Sequence, residues 1–240
     1  MKKLFLLSIF TLIVINSFSQ IHFLYDFARN TKLQGDYGKN ISSISYENFK
    51  PDTFGYTYYT IDFFYVANQI GYMELSRNIN IPHTPFAIHA EFDGGLCIAG
   101  VINDAALLGL SLPLDLKNGK SLEFQILAKK FIYYQYKEFD GQFTIVFNFP
   151  ICKKFLFNGY FDIWSQKLDK SYNFDPKAKR NFVILSEPQF CYNINKTFTI
   201  ESRLRISQHF CWNIKPDGTH EGKANPDLNF FPCLGLKINL

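Results

Sequence analysis

The 240-residue chain is rich in aromatic residues, with 27 Phe and 14 Tyr against 2 Met, and carries a formal net charge of +4. Its charges are scattered, and two of the positive ones belong to Lys2 and Lys3, so the composition excludes a nucleic-acid-binding surface. Beyond residue 20 no apolar run approaches the roughly 20 residues of a membrane-spanning helix, which excludes a helical membrane protein.

Residues 1–20 have the three parts of a signal peptide. A basic start at Lys2 and Lys3 precedes an apolar run over residues 4–15 and a short exit over residues 16–20. An uncleaved anchor is the alternative, but the apolar run is short for a helix that crosses a membrane. No cysteine lies in the exit segment 16–20, which disfavours a lipoprotein. We therefore expect a signal peptide over 1–20 and one exported domain over 21–240.

The exported part alternates between apolar and polar residues with a period of two, the pattern of β-strands with one apolar face. Runs of this kind, bounded by Gly, Pro, Asn and Asp, predict about twelve strands. Their spans are 21–29, 41–49, 56–66, 71–79, 85–93, 105–114, 120–133, 141–150, 154–165, 180–193, 197–209 and 229–240.

Two of these strands carry ambiguous features. The segment 105–114 begins with Ala105-Ala106-Leu107-Leu108, a sequence that would also suit a helix. Pro188 lies within the strand 180–193, where its missing N–H predicts a bulge or a break in the ladder.

The connections support a transmembrane barrel. With the N-terminus in the periplasm, the outer connections are longer than the inner ones, except for the second outer connection. This asymmetry and an even strand number are typical of bacterial outer-membrane barrels. Compact turns are predicted at Lys50-Pro51-Asp52 and Asn118-Gly119. The predicted fold class is all-β, a transmembrane antiparallel β-barrel of about twelve strands, with the first strand paired to the last.

The alternation also predicts which face meets lipid. One parity is aromatic and aliphatic, as in Phe143, Ile145, Phe147 and Phe149, whereas the other parity carries the charges. About eight strands suffice for a barrel packed with side chains, so twelve would leave a wide interior. We therefore expect the apolar parity to face lipid and the charged parity to face a wet lumen.

Several segments, in order along the chain, carry a resemblance to a known family. They are Leu24-Tyr25-Asp26-Phe27, Phe49-Lys50-Pro51-Asp52 with Gly55, Glu74-Leu75-Ser76-Arg77, His89-Ala90-Glu91-Phe92-Asp93-Gly94-Gly95, Gly159-Tyr160-Phe161-Asp162-Ile163-Trp164 and Leu185-Ser186-Glu187-Pro188-Gln189-Phe190. Together these segments resemble a family of outer-membrane proteins related to the nucleoside-specific channel-forming protein Tsx, a Tsx-like barrel family of unknown function. The resemblance covers nearly the whole exported part and implies a twelve-stranded outer-membrane barrel with a remote link to nucleoside channels. Leu240 departs from the terminal aromatic residue that is common in such barrels.

The charged parity supplies the candidate residues that line the lumen or contact a solute. They are Asp26, Asp62, Glu74, His89, Glu91, Lys129, Asp162, Trp164, Glu187, Gln189, Glu201 and Arg203. Charges at membrane depth either serve a solute path or brace the wall as ion pairs, and the sequence allows both.

Two of these residues have alternatives of their own. Trp164 is a stacking platform for a base or sugar, or an interface anchor at the outer rim, and the strand-end position favours the anchor. His89 beside Glu91 suggests a hydrogen bond rather than a metal site, because no second histidine has ligand spacing.

Five cysteines lack CxxC spacing. Cys191 with Cys233 and Cys97 with Cys211 are conceivable disulfides, but isolated thiols are the favoured interpretation.

The sequence therefore predicts a channel of the bacterial outer membrane for passive diffusion of small polar solutes, and nucleosides are suggested by the resemblance. The predicted partners are outer-membrane lipid and the solute, without nucleic acid, cofactor, metal or catalytic residue. A closed barrel with a structural or surface-binding role is the alternative. An outer-membrane enzyme is disfavoured because no motif such as GxSxG accompanies the histidines.

Overall fold

In a computed structural model, residues 18–27, 41–64, 69–97, 104–132, 138–167, 177–209 and 228–240 are described. Within these ranges the chain forms thirteen strand segments of one antiparallel sheet. They are β1 (Phe18–Asp26), β2 (Ile41–Asp52), β3 (Gly55–Phe64), β4 (Gln69–Asn80), β5 (Ala87–Cys97), β6 (Ala105–Asp115), β7 (Ser121–Phe131), β8 (Asp140–Pro150), β9 (Phe155–Lys167), β10 (Arg180–Ser186), β11 (Gln189–Asn193), β12 (Phe198–Gln208) and β13 (Asn229–Asn239).

The sheet closes on itself. β1 pairs with β2 on one side and with β13 on the other, from Gln20 opposite Asn239 to Asp26 opposite Cys233. β10 and β11 both lie between β9 and β12, so they are two halves of one strand position. The molecule is therefore a closed twelve-stranded barrel, and the predicted fold, strand number and closure of first strand on last are confirmed.

β6 resolves the ambiguity of the segment 105–114. It is a strand that pairs with β5 and β7 along its length. Leu108 and Leu110 point outward and are exposed, whereas Leu107 is buried on the inner side. The alternation of the leucines therefore outweighs the helical propensity of the two alanines.

The interruption between β10 and β11 lies at Glu187 and Pro188, where a break was predicted. The ladder does not lose its hydrogen bonds there, because Glu187 N donates to Tyr160 O at 3.1 Å and Leu204 N donates to Pro188 O at 3.0 Å. Gly159 faces the break with a φ of 148°, and a Cβ at this position would lie 2.3 Å from Glu187 O. Only glycine allows the two strands to approach so closely here.

The two ends of the barrel differ in the length of their connections. At one end the strands are joined by residues 53–54, 81–86, 116–120, 151–154 and 194–197, which we call the short-turn end. The turn after β6 has positive φ at Lys117, Asn118 and Gly119, which confirms the compact turn predicted at Asn118-Gly119. The turn predicted at Lys50-Pro51-Asp52 lies slightly later, at 53–54, because these three residues still pair with β3 as part of β2. The opposite end, the long-connection end, carries 27–40, 65–68, 98–104, 132–139, 168–179 and 209–228.

Side chains alternate between the two faces as predicted. Ile126, Phe182 and Leu108 are among the most exposed apolar residues and point outward, whereas His22, His89 and Glu201 are fully buried and point inward. Outward aromatic rings contact one another between strands, as in Phe157 and Phe190, whose centroids are 4.7 Å apart. In the described part of the chain no helix is long and apolar enough to cross a membrane.

β1 begins three residues earlier than predicted, at Phe18. Residues 1–17 lie outside the described residues. The signal peptide over 1–20 and the domain boundary after it therefore remain predictions.

Candidate channel lumen

The barrel encloses a cavity of about 1000 Å³. Its lining begins at Phe18 and Ser121, at the short-turn end, and reaches Gln166 and His209, at the long-connection end. The side chains of the described strands therefore leave an interior space that extends along the barrel, as expected for more strands than a packed interior requires.

The structure places ten of the twelve candidate residues on this lining. They are Asp62, Glu74, His89, Glu91, Lys129, Asp162, Trp164, Glu187, Gln189 and Arg203. Of the other two, Glu201 faces inward but is fully buried beneath its partners. Asp26 lies on the inward parity of β1, opposite Cys233 and outside the cavity lining.

One side of the lumen is a network of ion pairs, which we call the arginine cluster: His22, Glu187, Glu201, Arg203 and Arg205. Arg203 donates from Nη1 to Glu187 Oε1 at 2.9 Å and from Nη2 to Glu201 Oε2 at 3.0 Å. Arg205 donates from Nε to Glu187 Oε2 at 2.8 Å. His22 Nδ1 lies 3.0 Å from Glu201 Oε1. These contacts join β1 and β12 to the interruption between β10 and β11.

His22 and Arg205 are functional candidates that the sequence analysis did not select. Arg205 shares the inward parity with Arg203 two positions away, and His22 shares it with Asp26. The alternation therefore predicts that both side chains face inward. It does not predict their contacts with acidic residues of other strands.

Another side of the lumen is acidic, and we call it the acidic wall: Glu74, Glu91, Asp93, Glu123 and Asp162. Neutral donors contact several of its carboxylates. Tyr72 donates to Asp93 at 3.2 Å and Thr144 donates to Asp162 at 2.6 Å. His89 Nε2 lies 2.9 Å from Glu91 Oε2, which agrees with the predicted hydrogen bond.

Lys129 is the basic residue of this wall. Its Nζ lies 3.4 Å from Asp93 Oδ2 and donates to Gln142 Oε1 at 2.8 Å. The same ammonium lies 4.4 Å from the ring centroid of Trp164, within the range of a cation–π contact.

The indole of Trp164 is therefore part of the interior. It is 5% exposed and packs in an apolar cluster near the long-connection end. The members of this cluster are Ala105, Leu107, Leu127, Phe131, Trp164 and Val183. The interface-anchor interpretation of Trp164 is wrong, because an anchor would face outward toward the headgroups.

A set of hydrogen bonds at Glu123 connects distant strands. Its carboxylate accepts from Tyr56 Oη at 2.8 Å, from Asn78 Nδ2 at 3.0 Å and from Gln125 Nε2 at 2.9 Å. Tyr56 belongs to β3 and Glu123 to β7, so this bond reaches across part of the lumen. It braces the barrel toward the short-turn end.

The described histidine, cysteine and acidic side chains form neither a metal site nor a disulfide. Among the described residues, no three His, Cys, Asp or Glu side chains converge to hold a metal ion. Cys152, Cys191 and Cys233 are free thiols, so the conceivable Cys191–Cys233 disulfide is not formed. Cys191 instead contacts Lys237, with 3.8 Å between Sγ and Nζ. The conceivable pair of Cys97 with Cys211 involves a residue outside the described ranges.

Outside the barrel wall, the connection between β7 and β8 carries a small ion-pair group. Glu138 lies 2.5 Å from Lys167 Nζ and 2.7 Å from Arg180 Nη2. The hydrogen bond from Lys167, with the charges of both bases, holds the pKa of Glu138 below its usual range. Arg180 also contacts Asp140.

Sequence comparison then identifies the family. The profile of the family described as "Domain of unknown function (DUF5020)" matches residues 18–239. The chain belongs to this family. No curated protein sequence matches the DUF5020 chain.

Solved structures show the shared fold. The NanC porin in a rhombohedral crystal form is similar with a TM-score of 0.62 and 10% identity, over 92% of this chain and 100% of that chain. The KdgM porin is similar with a TM-score of 0.53 and 7% identity, over 92% and 99%. At these identities the likeness establishes the barrel fold, which this DUF5020 protein shares with the two porins.

Proposed function

We propose that this protein is a channel of the bacterial outer membrane through which small polar solutes diffuse passively. The outward face is a belt of exposed Phe, Leu and Ile side chains, and the inward face is polar and charged. Such a molecule is stable where lipid covers the belt and water fills the lumen. The structural likeness to two porins supports the same location.

The observation that carries the proposal is the cavity of about 1000 Å³ whose lining reaches both ends of the strands. Charged side chains at membrane depth are costly unless they are paired or face water. Asp62, Glu74 and Asp162 form no ion pair with a basic residue among the described residues and line the cavity, which supports a water-filled passage.

Within this proposal, nucleosides are the first solutes to test, because the segments that resemble Tsx relatives suggest them. A nucleoside is small enough for a space of this volume. The contacts that we propose are polar: carboxylates such as Asp62 and Glu91 would accept hydrogen bonds from sugar hydroxyls and base N–H groups. No covalent step is part of the proposal.

A planar lipid bilayer tests the channel directly. We expect discrete conductance steps after insertion of the purified barrel, and uptake of a labelled nucleoside into liposomes. The variants Asp62→Asn and Glu91→Gln should alter both, since both side chains line the lumen. A barrel that inserts but neither conducts nor takes up nucleoside would contradict the proposal.

The second candidate function is a closed barrel with a structural or surface-binding role. The hydrogen bond between Tyr56 and Glu123 favours it, because side chains that reach across a lumen narrow the passage. Electrical silence with normal insertion would support this candidate. In that case, a double variant Tyr56→Phe and Glu123→Gln should open conductance if the brace is what closes the barrel.

A further inference from the structure

The lumen has a strong excess of negative charge. Among the described residues, its lining contains nine carboxylates and three Lys or Arg side chains. The whole chain, in contrast, is basic, with a formal net charge of +4. Acidic residues are therefore concentrated on the lining of the lumen, although the chain as a whole is basic.

The basic groups of the lining are already occupied by acids. Arg203 and Arg205 share Glu187, and Arg203 also contacts Glu201. Lys129 contacts Asp93 and lies over Trp164. An anion that entered the lumen would have to compete with these buried carboxylates for the same donors, which is unfavourable.

The carboxylates of the acidic wall, unlike the basic groups of the lining, are largely without a partner of opposite charge among the described residues. Within the described ranges, no Lys or Arg forms an ion pair with Glu74, Glu91 or Asp162. Glu74 also receives no hydrogen bond from a described side chain. It lies directly opposite Asp93 in the ladder of β4 and β5, and Glu91 lies opposite Ser76, the next inward residue of β4. Like charges that share a wall destabilise one another, and a cation between them relieves the repulsion.

A second observation points to a donor-bearing solute at the same wall. Gln125 Oε1 is a hydrogen-bond acceptor that is buried without a partner among the described residues, on a side chain that is 3% exposed. His89 Nδ1 is likewise buried without a partner, on a side chain that is 1% exposed. Both residues belong to the cavity lining. Buried polar atoms are rarely left unpaired, and an N–H donor or a bridging water would satisfy them.

From the charge excess, the occupied bases and the unpaired acceptors, we infer that the lumen selects for cations and that its preferred organic solutes carry an ammonium group. An ammonium supplies both the positive charge and the N–H donors that Glu74 and Gln125 Oε1 lack. This inference rests on the proposed channel function and names its substrate class. Anionic solutes of similar size are the class that the lumen disfavours.

The reversal potential of the full-length barrel in a planar bilayer under a KCl gradient tests the inference. We expect potassium to be several-fold more permeant than chloride. We also expect ethylammonium to carry current when it replaces potassium. Replacement of chloride by gluconate should leave the current almost unchanged. A permeability ratio of one, or a preference for chloride, would overturn the inference and leave the channel function standing. A silent, correctly folded barrel would instead overturn the channel function on which the inference rests.

Matched variants locate the selectivity. Glu74→Gln combined with Glu91→Gln removes two charges from the acidic wall, so the permeability ratio of potassium to chloride should fall toward one. Glu138→Gln removes one charge outside the cavity and should leave the ratio unchanged. Heat-modifiable migration in detergent verifies that each variant folds. If the double variant does not fold, the single variant Glu74→Gln replaces it in the measurement. A correctly folded wall variant that keeps the full selectivity would refute the role of the acidic wall.

Discussion

Glu187 accepts a hydrogen bond of 2.9 Å from Nη1 of Arg203, at the point where the barrel wall is interrupted. The second oxygen of the same carboxylate accepts from Nε of Arg205 at 2.8 Å. The interruption before Pro188 therefore coincides with the residue that holds two arginines of β12 against the wall. This relationship predicts that the loss of Glu187 destabilises the barrel.

Replacement of Glu187 by Ala should lower the free energy of unfolding by about 3–5 kcal/mol, because the buried guanidinium of Arg203 and the partly buried guanidinium of Arg205 lose the carboxylate that they share. Urea titration of reversible folding into lipid vesicles measures this difference. Arg77→Ala is the control, since it breaks an ion pair of 2.6 Å between exposed residues, Arg77 and Asp52. That loss should be below about 1 kcal/mol. Similar losses for the two variants would show that the arginine cluster does not stabilise the barrel.

The assignment of the two faces can be tested on adjacent strands. Ile126, at the centre of β7, points outward and is 72% exposed, so Ile126→Arg should destabilise the inserted barrel by about 2–4 kcal/mol. Val146 of β8 lines the cavity and lies opposite Glu123. Val146→Arg should therefore cost much less, because the new charge meets water and a carboxylate. Equal losses of stability would refute the assignment.

The close approach at the interruption predicts a strict requirement for glycine. Gly159→Ala places a methyl group against Glu187 O and imposes an unfavourable φ, so the loss should exceed about 1 kcal/mol. Gly141→Ala on the neighbouring strand has no atom within 4 Å of the added Cβ. It should leave the unfolding midpoint almost unchanged. A Gly159→Ala barrel as stable as the Gly141→Ala barrel would mean that this approach is not required.

The ion pairs of Glu138 predict a pH dependence at the rim. Because its pKa in the folded protein is below the usual range, Glu138 contributes stability at neutral pH. This contribution is lost as the pH falls through the lowered pKa. An NMR titration of the side-chain carboxyl should show the low value, and Lys167→Met should raise it toward that of an ordinary glutamate. An unchanged titration in the variant would exclude Lys167 as the cause.

The three described thiols should differ in reactivity. Cys152 is exposed in a turn, whereas Cys191 and Cys233 are buried. In a Cys97→Ser, Cys211→Ser background, a maleimide should therefore label one site in the folded barrel and three after unfolding. Mass spectrometry of the labelled peptides measures both numbers. Rapid labelling of Cys191 in the folded barrel would contradict its buried position.

Much of the fold was predictable because the relevant information is local. A period of two residues places Ile126 outward and Lys129 inward without reference to any other strand. The break at Pro188 follows in the same way from a missing N–H. The alternation does not define where a strand begins, and β1 begins at Phe18, inside the predicted signal peptide.

Parity says which side chains face the lumen, and ten of the twelve candidate residues line it. The parity of a residue does not predict which of these side chains contact one another. Tyr56 contacts Glu123 from four strands away, and Lys129 covers Trp164 from two strands away. Those contacts depend on the stagger and curvature of the closed sheet, which bring distant strands to the same depth. The sequence by itself therefore determined the wall and its two faces, while only the closure of the barrel decided which charges are paired and which are left to a solute.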